Sequence, residues 1–526
     1  MRTKSLPEWR KPVTEPATVP HAPRLALDTP ALESLGDALR EAGFDHKSVL
    51  ERIGIGELHE IGRASAREIR ERTDEGTPLD ILIRLLLLGE PVTPIDLAAA
   101  IPKADLRSLA SCGILADHEQ GVVSPFQIVP FMGLHVLYDR RPKVGDMPRD
   151  FVMGIGGSTQ TLAIVTVRKP CESAMDMGAG CGVHAMLAAR HARRVVAVDI
   201  NPRAIMMTNA NAAINGITNI EAREGSFFAP VEGEQFDLIV ANPPFVISPE
   251  SAYTYRDAAL PSDGVMELVC REGLRHLRPG GVCQVLGNWV SLDDQPEEMR
   301  LPRWFDDAPC TVIAHRSHDS TPRRYAEHWT AHTSLGEEIT PEQRIERWVE
   351  HFEKHRITIV HNGQITIRRE SHPPTTVFIE PVAEKWRIRG AASEHLVSLL
   401  DSLRAIAIAD ANGGLLDARL RVCPEVRIGH QLTPTSDEKG GHSGWEVTDT
   451  HISLTRGIAN AQTLDPLATQ LVMACDGRKS LREILGDLAK RSGYEAEEFI
   501  DAAEPVARRL AQKGYFRIET ARPTDR

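Results

Sequence analysis

The sequence predicts an α/β fold, a doubly wound and mostly parallel sheet, with an N-terminal helical unit before it and a C-terminal α+β region after it. Three observations predict this. Between about residues 127 and 335, short apolar runs alternate with helical segments, the order that builds parallel sheets covered by helices on both faces. One apolar run ends in a glycine-rich turn that opens a helix, a strand-to-helix corner typical of such sheets. The chain has 526 residues, 42% of them hydrophobic, too many for one core, so two to four domains are expected.

Taken in order, residues 1–24 carry Pro7, Pro12, Pro16, Pro20 and Pro23 without apolar periodicity and read as a disordered tail. Residues 25–126 form the N-terminal unit. Leu32, Leu35, Leu39 and Ala42 repeat at helical spacing. "LDILIRLLLLGE" reads as a buried helix closed near Gly89, and "TPIDLAAAIP" and "KADLRSLASCGIL" as two more. The strand-like "GVVSPFQIVPF" after them suggests a winged helix, or a plain helical cap on the next domain. Within 127–335, "ESAMDMG", "RRVVAVDI", "NIEAREGS", "FDLIVANPPF" and "GGVCQVLGNWV" read as strands. "HAMLAARHA", "PRAIMMTNANAAING" and "GVMELVCREGLRHL" read as the helices between them. Residues 336–455 form an α+β accessory region: a helix "PEQRIERWVEHFEKH", then "ITIVHNGQITIRR" as a hairpin turning at Asn362-Gly363. Residues 456–526 read as three helices and a short strand, a second winged-helix-like unit.

The formal net charge of -12 argues against nucleic-acid binding by bulk charge, so any RNA or DNA substrate needs a local basic patch. The eight cysteines, at 112, 171, 181, 270, 283, 310, 423 and 475, make no C-x-x-C pair and no zinc-finger spacing. They read as reduced core residues, with no structural metal. No secretory signal and no membrane span is legible, so a cytoplasmic protein without a membrane partner is expected. Nothing in the pattern sets the oligomeric state.

The strongest local signal is "MDMGAGCGVHAMLAARHARRVVAVDI". Asp176 ends a strand, Gly178, Gly180 and Gly182 make the turn, and a helix follows. Such a turn needs backbone dihedrals closed to other residues and lets a ligand approach the main chain. Asp199 ends the next strand, 23 residues after Asp176, where a carboxylate can accept ribose hydroxyls through hydrogen bonds worth roughly 1.5–3 kcal/mol each. These features alone admit NAD or S-adenosylmethionine (SAM). G-x-G-x-G spacing leans toward SAM, which has no pyrophosphate to cradle. Upstream, "GIGGSTQTLA" places Gly154 and Gly156 before a helix expected to be capped by Ser158 or Thr159. It reads as an ordinary helix start or as a lid over the methionine part of SAM.

"FDLIVANPPF" decides between the two cofactors. Pro243 and Pro244 cannot continue a sheet ladder. They fix the backbone so that Asn242 Oδ1 and the Pro243 carbonyl aim two acceptors at one donor group. A planar amine or amide nitrogen is a poor nucleophile because its lone pair is delocalised. Acceptors on its hydrogens favour the nucleophilic form as the new C–N bond develops. Phe245 offers a flat apolar face to the target group. Hydride transfer has no use for this tetrad.

From about 150 to 295 the chain resembles the N-P-P-[YF] class of SAM methyltransferases, which includes HemK-related protein-glutamine enzymes and several rRNA and tRNA base methylases. "FVMGIGGSTQTLA", "DMGAGCGVHAMLAARHA", "NPPFVISP" and "YRDAALPSDGV" look closest to long bacterial members with extra terminal domains. The resemblance implies a class I, Rossmann-like fold. It implies SAM and catalytic roles for Asp176, Gly178, Gly180, Gly182, Asp199 and Asn242 to Phe245. Members of this class usually carry an acidic residue for the adenine amino group; here Ser226 and the Phe227 backbone stand in its place. The C-terminal segment is similar to small winged-helix units that hold leader peptides. Three functions are weighed: methylation of a planar nitrogen on a macromolecule (RNA or protein), methylation of a peptide or small natural product, and a catalytically silent SAM-binding regulator. Lesser candidates are His318, Asp319, Arg323 and Arg324 as acceptor-channel residues, Asp257 and Asp263 as orienting carboxylates, and His184 and His442 as structural histidines.

Overall fold

The computed structural model describes residues 23–56, 66–141, 148, 150–249, 260–331, 339–382, 388–390, 392–436, 442–458 and 461–519. The proline-rich stretch 1–22, Asp257 and the side chain of His442 lie outside the described residues.

Eight strands make the central sheet. They are β1 (Cys171–Met177), β2 (Ala192–Asp199), β3 (Ile220–Glu224), β4 (Phe236–Ala241), β5 (Leu277–Leu292), β6 (Cys310–Ser320), β7 (Ile357–Arg369) and β8 (Thr376–Pro381). Their order is β8-β6-β7-β5-β4-β1-β2-β3. β1 to β5 run parallel, and β7 is antiparallel to both β5 and β6. The inner strands are β-branched and apolar, with Ala174, Val195, Val196, Ile239 and Val285 fully buried, as strands covered on both faces must be. The helices are α1 (Gly157–Val165), α2 (Val183–Ala189), α3 (Pro202–Ile214) and α4 (Gly264–Arg275). The chain winds outward from β1 to β3, then returns to place β4 on the other side of β1. The ends of β1 and β4 therefore flank a switch point, where open α/β sheets leave a crevice.

Residues 357–369 correct one expectation. They form one continuous strand, not a hairpin turning at Asn362-Gly363. Gly363 sits mid-strand, where a Cβ would lie 2.0 Å from the His315 carbonyl oxygen. Glycine is there for close backbone approach, not for a turn. With β8, this strand extends the sheet well past residue 335.

The N-terminal helices, including Thr29–Glu41 and Pro94–Ala100, share one hydrophobic core with α2 and α3. At Gly36 a Cβ would meet the Ile214 carbonyl at 1.8 Å, so helix Thr29–Glu41 approaches α3 as only glycine allows. Asn211 of α3 and Asn215, its C-cap, pair by their side-chain amides with the backbone of Leu137 and His135, at 2.7–2.9 Å. Arg203 forms a buried two-bond pair with Asp139 at 2.9 and 2.5 Å. At the other end, helices Pro466–Ala474, Leu481–Ser492 and Ala496–Gln512 pack with residues from Ile406 onward into a second core. That core draws on both 336–455 and 456–526. Among the described residues, no helix is long and apolar enough to cross a membrane.

Candidate active site

The site grows from the end of β1. Gly178, Gly180 and Gly182 have φ of 73°, 54° and 76°, a region that favours glycine. Each serves a different need. A Cβ on Gly178 would sit 3.6 Å from the Asn242 carbonyl oxygen, so the turn lies directly against the N-P-P-F segment. A Cβ on Gly180 would meet nothing within 4 Å, leaving open space where a ligand fits. A Cβ on Gly182 would meet Thr208 Cγ2 at 2.8 Å, so this glycine lets α2 and α3 close up.

Two carboxylates hold this turn. Asp199 Oδ2 accepts the Gly180 N–H at 2.8 Å and its Oδ1 accepts the Asn201 N–H at 2.9 Å. A carboxylate has about four acceptor positions, and these backbone donors leave room for a ligand hydroxyl. Burial raises the Asp199 pKa. Asp176 is buried, and its Oδ2 accepts the Ala185 N–H at 2.8 Å. Its Oδ1 is buried without a hydrogen-bond partner among the described residues. Burial, aided by the charge of Asp199, pushes the Asp176 carboxyl up to about 7. A cationic ligand group beside Oδ1 would relieve that cost. Open space at Gly180, spare acceptors on Asp199 and an orphan carboxylate oxygen on Asp176 together fit SAM, which carries ribose hydroxyls and an ammonium.

Beyond β4, Asn242 continues the same corner. Its Nδ2 donates to Ser158 Oγ at 3.5 Å. Its Oδ1 is buried with no partner among the described residues. A buried amide oxygen without a donor is costly in a folded protein. Pro243 is buried, while Pro244 and Phe245 keep some exposure. Phe245 stands edge-on to Trp329, ring centroids 6.5 Å apart.

The structure brings Asp176, Gly178, Gly180, Asp199 and Asn242 together. Gly225 donates to the Asp199 carbonyl at 2.9 Å, which sets Ser226 and Phe227 beside the end of β2. Phe227 takes a φ of 48°. Gly156 is the N-cap of α1 and no side chain caps it, so neither Ser158 nor Thr159 does the capping. A Cβ on Gly154 would fall 2.3 Å from the Tyr138 ring, so packing requires a glycine there.

Other candidates are engaged elsewhere. Asp263 pairs with Arg300 at 2.9 Å and accepts the Val290 N–H at 3.0 Å, so it cannot orient a substrate. Arg323 is held by Glu342 and Glu346, and Asp319 by His361. His318 and Arg324 are exposed. His184 is buried, with its pKa lowered to about 4 by burial. Two contributors escaped the sequence reading. Ser158 meets the Asn242 amide rather than a helix end, and Tyr325 Oη accepts the Ile247 N–H at 3.2 Å and Asn288 Nδ2 at 2.6 Å, tying down the segment after Phe245. The amphipathic spacing of Tyr325 and Trp329 was the available signal.

Residues 156–295 match the domain family described as "Methyltransferase small domain". Residues 41–125 and 401–517 match two families described as domains of unknown function, DUF7059 and DUF7782. A "Release factor glutamine methyltransferase" of Xylella fastidiosa is 32% identical over 126 residues, 22% of this chain and 46% of the relative. A "Ribosomal RNA small subunit methyltransferase C" of Alcanivorax borkumensis is 29% identical over 134 residues, 26% of this chain and 35% of the relative. A Methanocaldococcus jannaschii protein, provisionally named a protein N5-glutamine methyltransferase, is 32% identical over 141 residues, 26% of this chain and 71% of the relative. The chain thus spans less than half the length of the first two.

Proposed function

Because the chain belongs to the HemK-related SAM-dependent methyltransferases, we propose that it transfers a methyl group to a planar nitrogen of a macromolecule, a protein side-chain amide before a nucleobase amine. One observation carries this reading: the backbone of Asn242 lies against the glycine turn, and its side-chain Oδ1 is buried without a hydrogen-bond partner among the described residues. When bound, SAM supplies an electrophilic methyl group on a sulfonium.

The chain's own groups do the rest. Asp199 and the open backbone at Gly180 hold the ribose, and Asp176 holds the ammonium. Asn242 Oδ1 takes a hydrogen bond from the target N–H, and the Pro243 carbonyl takes a second. Both strengthen as positive charge grows on the nitrogen, so they stabilise the transition state more than the ground state. Phe245 stacks on the planar group and excludes water. Ser226 and the Phe227 backbone receive the adenine.

Protein comes first because the chain is strongly acidic and most of the relatives above bear protein-glutamine names. The rRNA-methyltransferase relative favours a second reading, a base in RNA. Tritiated SAM, purified full-length chain and separated protein and RNA fractions of a cell lysate test both. Label is expected in protein. Label in RNA alone would select the second reading, and label in neither would sink the proposal.

A further inference from the structure

The turn after β4 needs support from outside its own strand. β4 ends at Ala241, and Pro243 and Pro244 carry no N–H to donate. A proline pair fixes local dihedrals but does not anchor the far end of a turn. Side chains from the outer half of the sheet hold that end. Asn288 of β5 spends its Nδ2 on the Phe245 carbonyl at 3.4 Å and on Tyr325 Oη at 2.6 Å. Tyr325 Oη also accepts the Ile247 N–H at 3.2 Å.

These bonds extend backward in one direction. Ser317 Oγ of β6 lies 2.9 Å from the Asn362 carbonyl oxygen and 3.1 Å from Asn362 Oδ1, and donates to that pair. With its Oδ1 turned to the hydroxyl, Asn362 of β7 donates from Nδ2 to Asn288 Oδ1 at 2.8 Å. An amide is nearly symmetric in shape, so its orientation is set by which neighbours donate and which accept. A reversed Asn288 would set its oxygen against the Phe245 carbonyl and its NH2 against the NH2 of Asn362. Asn288 and Tyr325 are 2% and 5% exposed, and a buried polar mismatch is costly.

Packing follows the same pattern. Val246 and Ile247 are buried with Tyr325, Trp348, Phe352 and Val360 in a small core of their own. Beside Asn288, a Cβ on Gly287 would fall 3.2 Å from Phe245 Cβ, so β5 leaves room for Phe245. Asp176 and Asp199 end β1 and β2, on the other side of β4 from β5 and β7. The bonds of the network end on Phe245 and Ile247, not on the glycine turn.

We propose that Ser317, Asn362, Asn288 and Tyr325 are positioning residues for methyl transfer, a one-way relay by which the outer strands fix Phe245 and, through the proline pair, the oxygens of Asn242 and Pro243. The proposal rests on the methyltransferase reading above and adds the residues that set its acceptor geometry. The test uses full-length chain, tritiated SAM and a dilution series of whichever lysate fraction, protein or RNA, takes label. Each rate is divided by the number of SAM sites counted by calorimetry, so misfolded material drops out. Asn362→Ala and Tyr325→Phe are expected to lower the maximal rate per site about tenfold or more, because small misplacements of reacting groups are expensive. SAM affinity and the apparent KM for the labelled fraction should hold within about twofold, as when an interaction made only in the transition state is lost. Amide exchange at Ile247 should quicken in both variants. Thr366→Val, on the same strand as Asn362, removes a buried hydroxyl without a partner among the described residues and should match wild type in rate and exchange. An unchanged rate per site in Asn362→Ala and Tyr325→Phe, or an equal fall in Thr366→Val, overturns the relay while leaving the methyltransferase reading standing. Absence of label with the wild-type chain overturns that underlying reading, and the catalytic role of the relay with it.

Discussion

At the scale of single residues, the roles proposed for Asn242 and Asp199 separate rate from binding. Asn242→Ala removes the acceptor oxygen but leaves the glycine turn intact. SAM affinity is expected to hold within about twofold, while the rate falls by about two to three orders of magnitude, as when a transition-state hydrogen-bond partner is lost. Calorimetry beside methyl-transfer kinetics separates the two effects; equal loss in both would contradict the assignment. Asp199→Ala should weaken SAM by roughly 100-fold, since charged hydrogen bonds to the ribose disappear and Gly180 loses its anchor. Asp176 gives a pH signature. Its carboxyl is pushed up to about 7 by burial, whereas in the unfolded chain it ionises like any aspartate. Between those values the native state holds the extra proton, so the group's contribution to stability falls as pH rises from about 4 to about 7. Above that window the ionised carboxylate awaits the ligand cation. Ligand-free thermal midpoints should therefore decline with rising pH more steeply in wild type than in Asp176→Asn. Matching slopes in the two proteins would remove Asp176 from this account.

Elements meet through close approaches that the local sequence does not announce. Gly363→Ala puts a methyl group 2.0 Å from the His315 carbonyl inside the sheet. Overpacking of this kind costs about 1–3 kcal/mol or more, readable in urea unfolding; a variant as stable as wild type would mean that the strand is not packed as described. Arg203→Ala leaves Asp139 buried without its partner, a loss of roughly 3–5 kcal/mol. The hairpin reading of 357–369 failed for a related reason. Asn-Gly is the strongest short turn signal in a sequence, yet here the pair lies mid-strand between β5 and β6, with Gly363 buried and Asn362 half-buried. Asn362 Nδ2 donates to Asn288 Oδ1 at 2.8 Å, and Gly363 serves an interstrand contact. Local turn chemistry yielded to packing from strands distant in the chain. The helix α4 was legible because its apolar spacing reports a buried face directly, whereas α2 and α3, buried over most of their surface, were legible from the glycine turn and the Asn201-Pro202 start that open them.

For the whole molecule, the catalytic sheet is gripped at both ends. The N-terminal unit docks through α3. The C-terminal unit docks on β8, where buried Glu380 pairs with Arg509 at 2.7 Å and Lys513 at 3.0 Å. Glu380→Ala leaves two cations uncompensated at that junction. Hydrogen exchange along Ala496–Gln512 should accelerate in this variant while the sheet core stays protected; unchanged exchange would show that apolar packing alone holds the unit. Such docking makes the terminal units part of a single scaffold with the sheet.

The sequence by itself determined the alternation that makes the sheet, the G-x-G-x-G turn, Asp199 and the Asn-Pro-Pro-Phe corner, because periodicity and backbone restriction act within a few residues. Only the tertiary structure decided which groups are spoken for. Asp263 went to Arg300, Ser158 went to the Asn242 amide, and Asn242 Oδ1 was left without a partner among the described residues. Those outcomes depend on contacts between residues 37 and 84 positions apart, and hydrogen-bond bookkeeping over such separations is settled by packing, not by pattern.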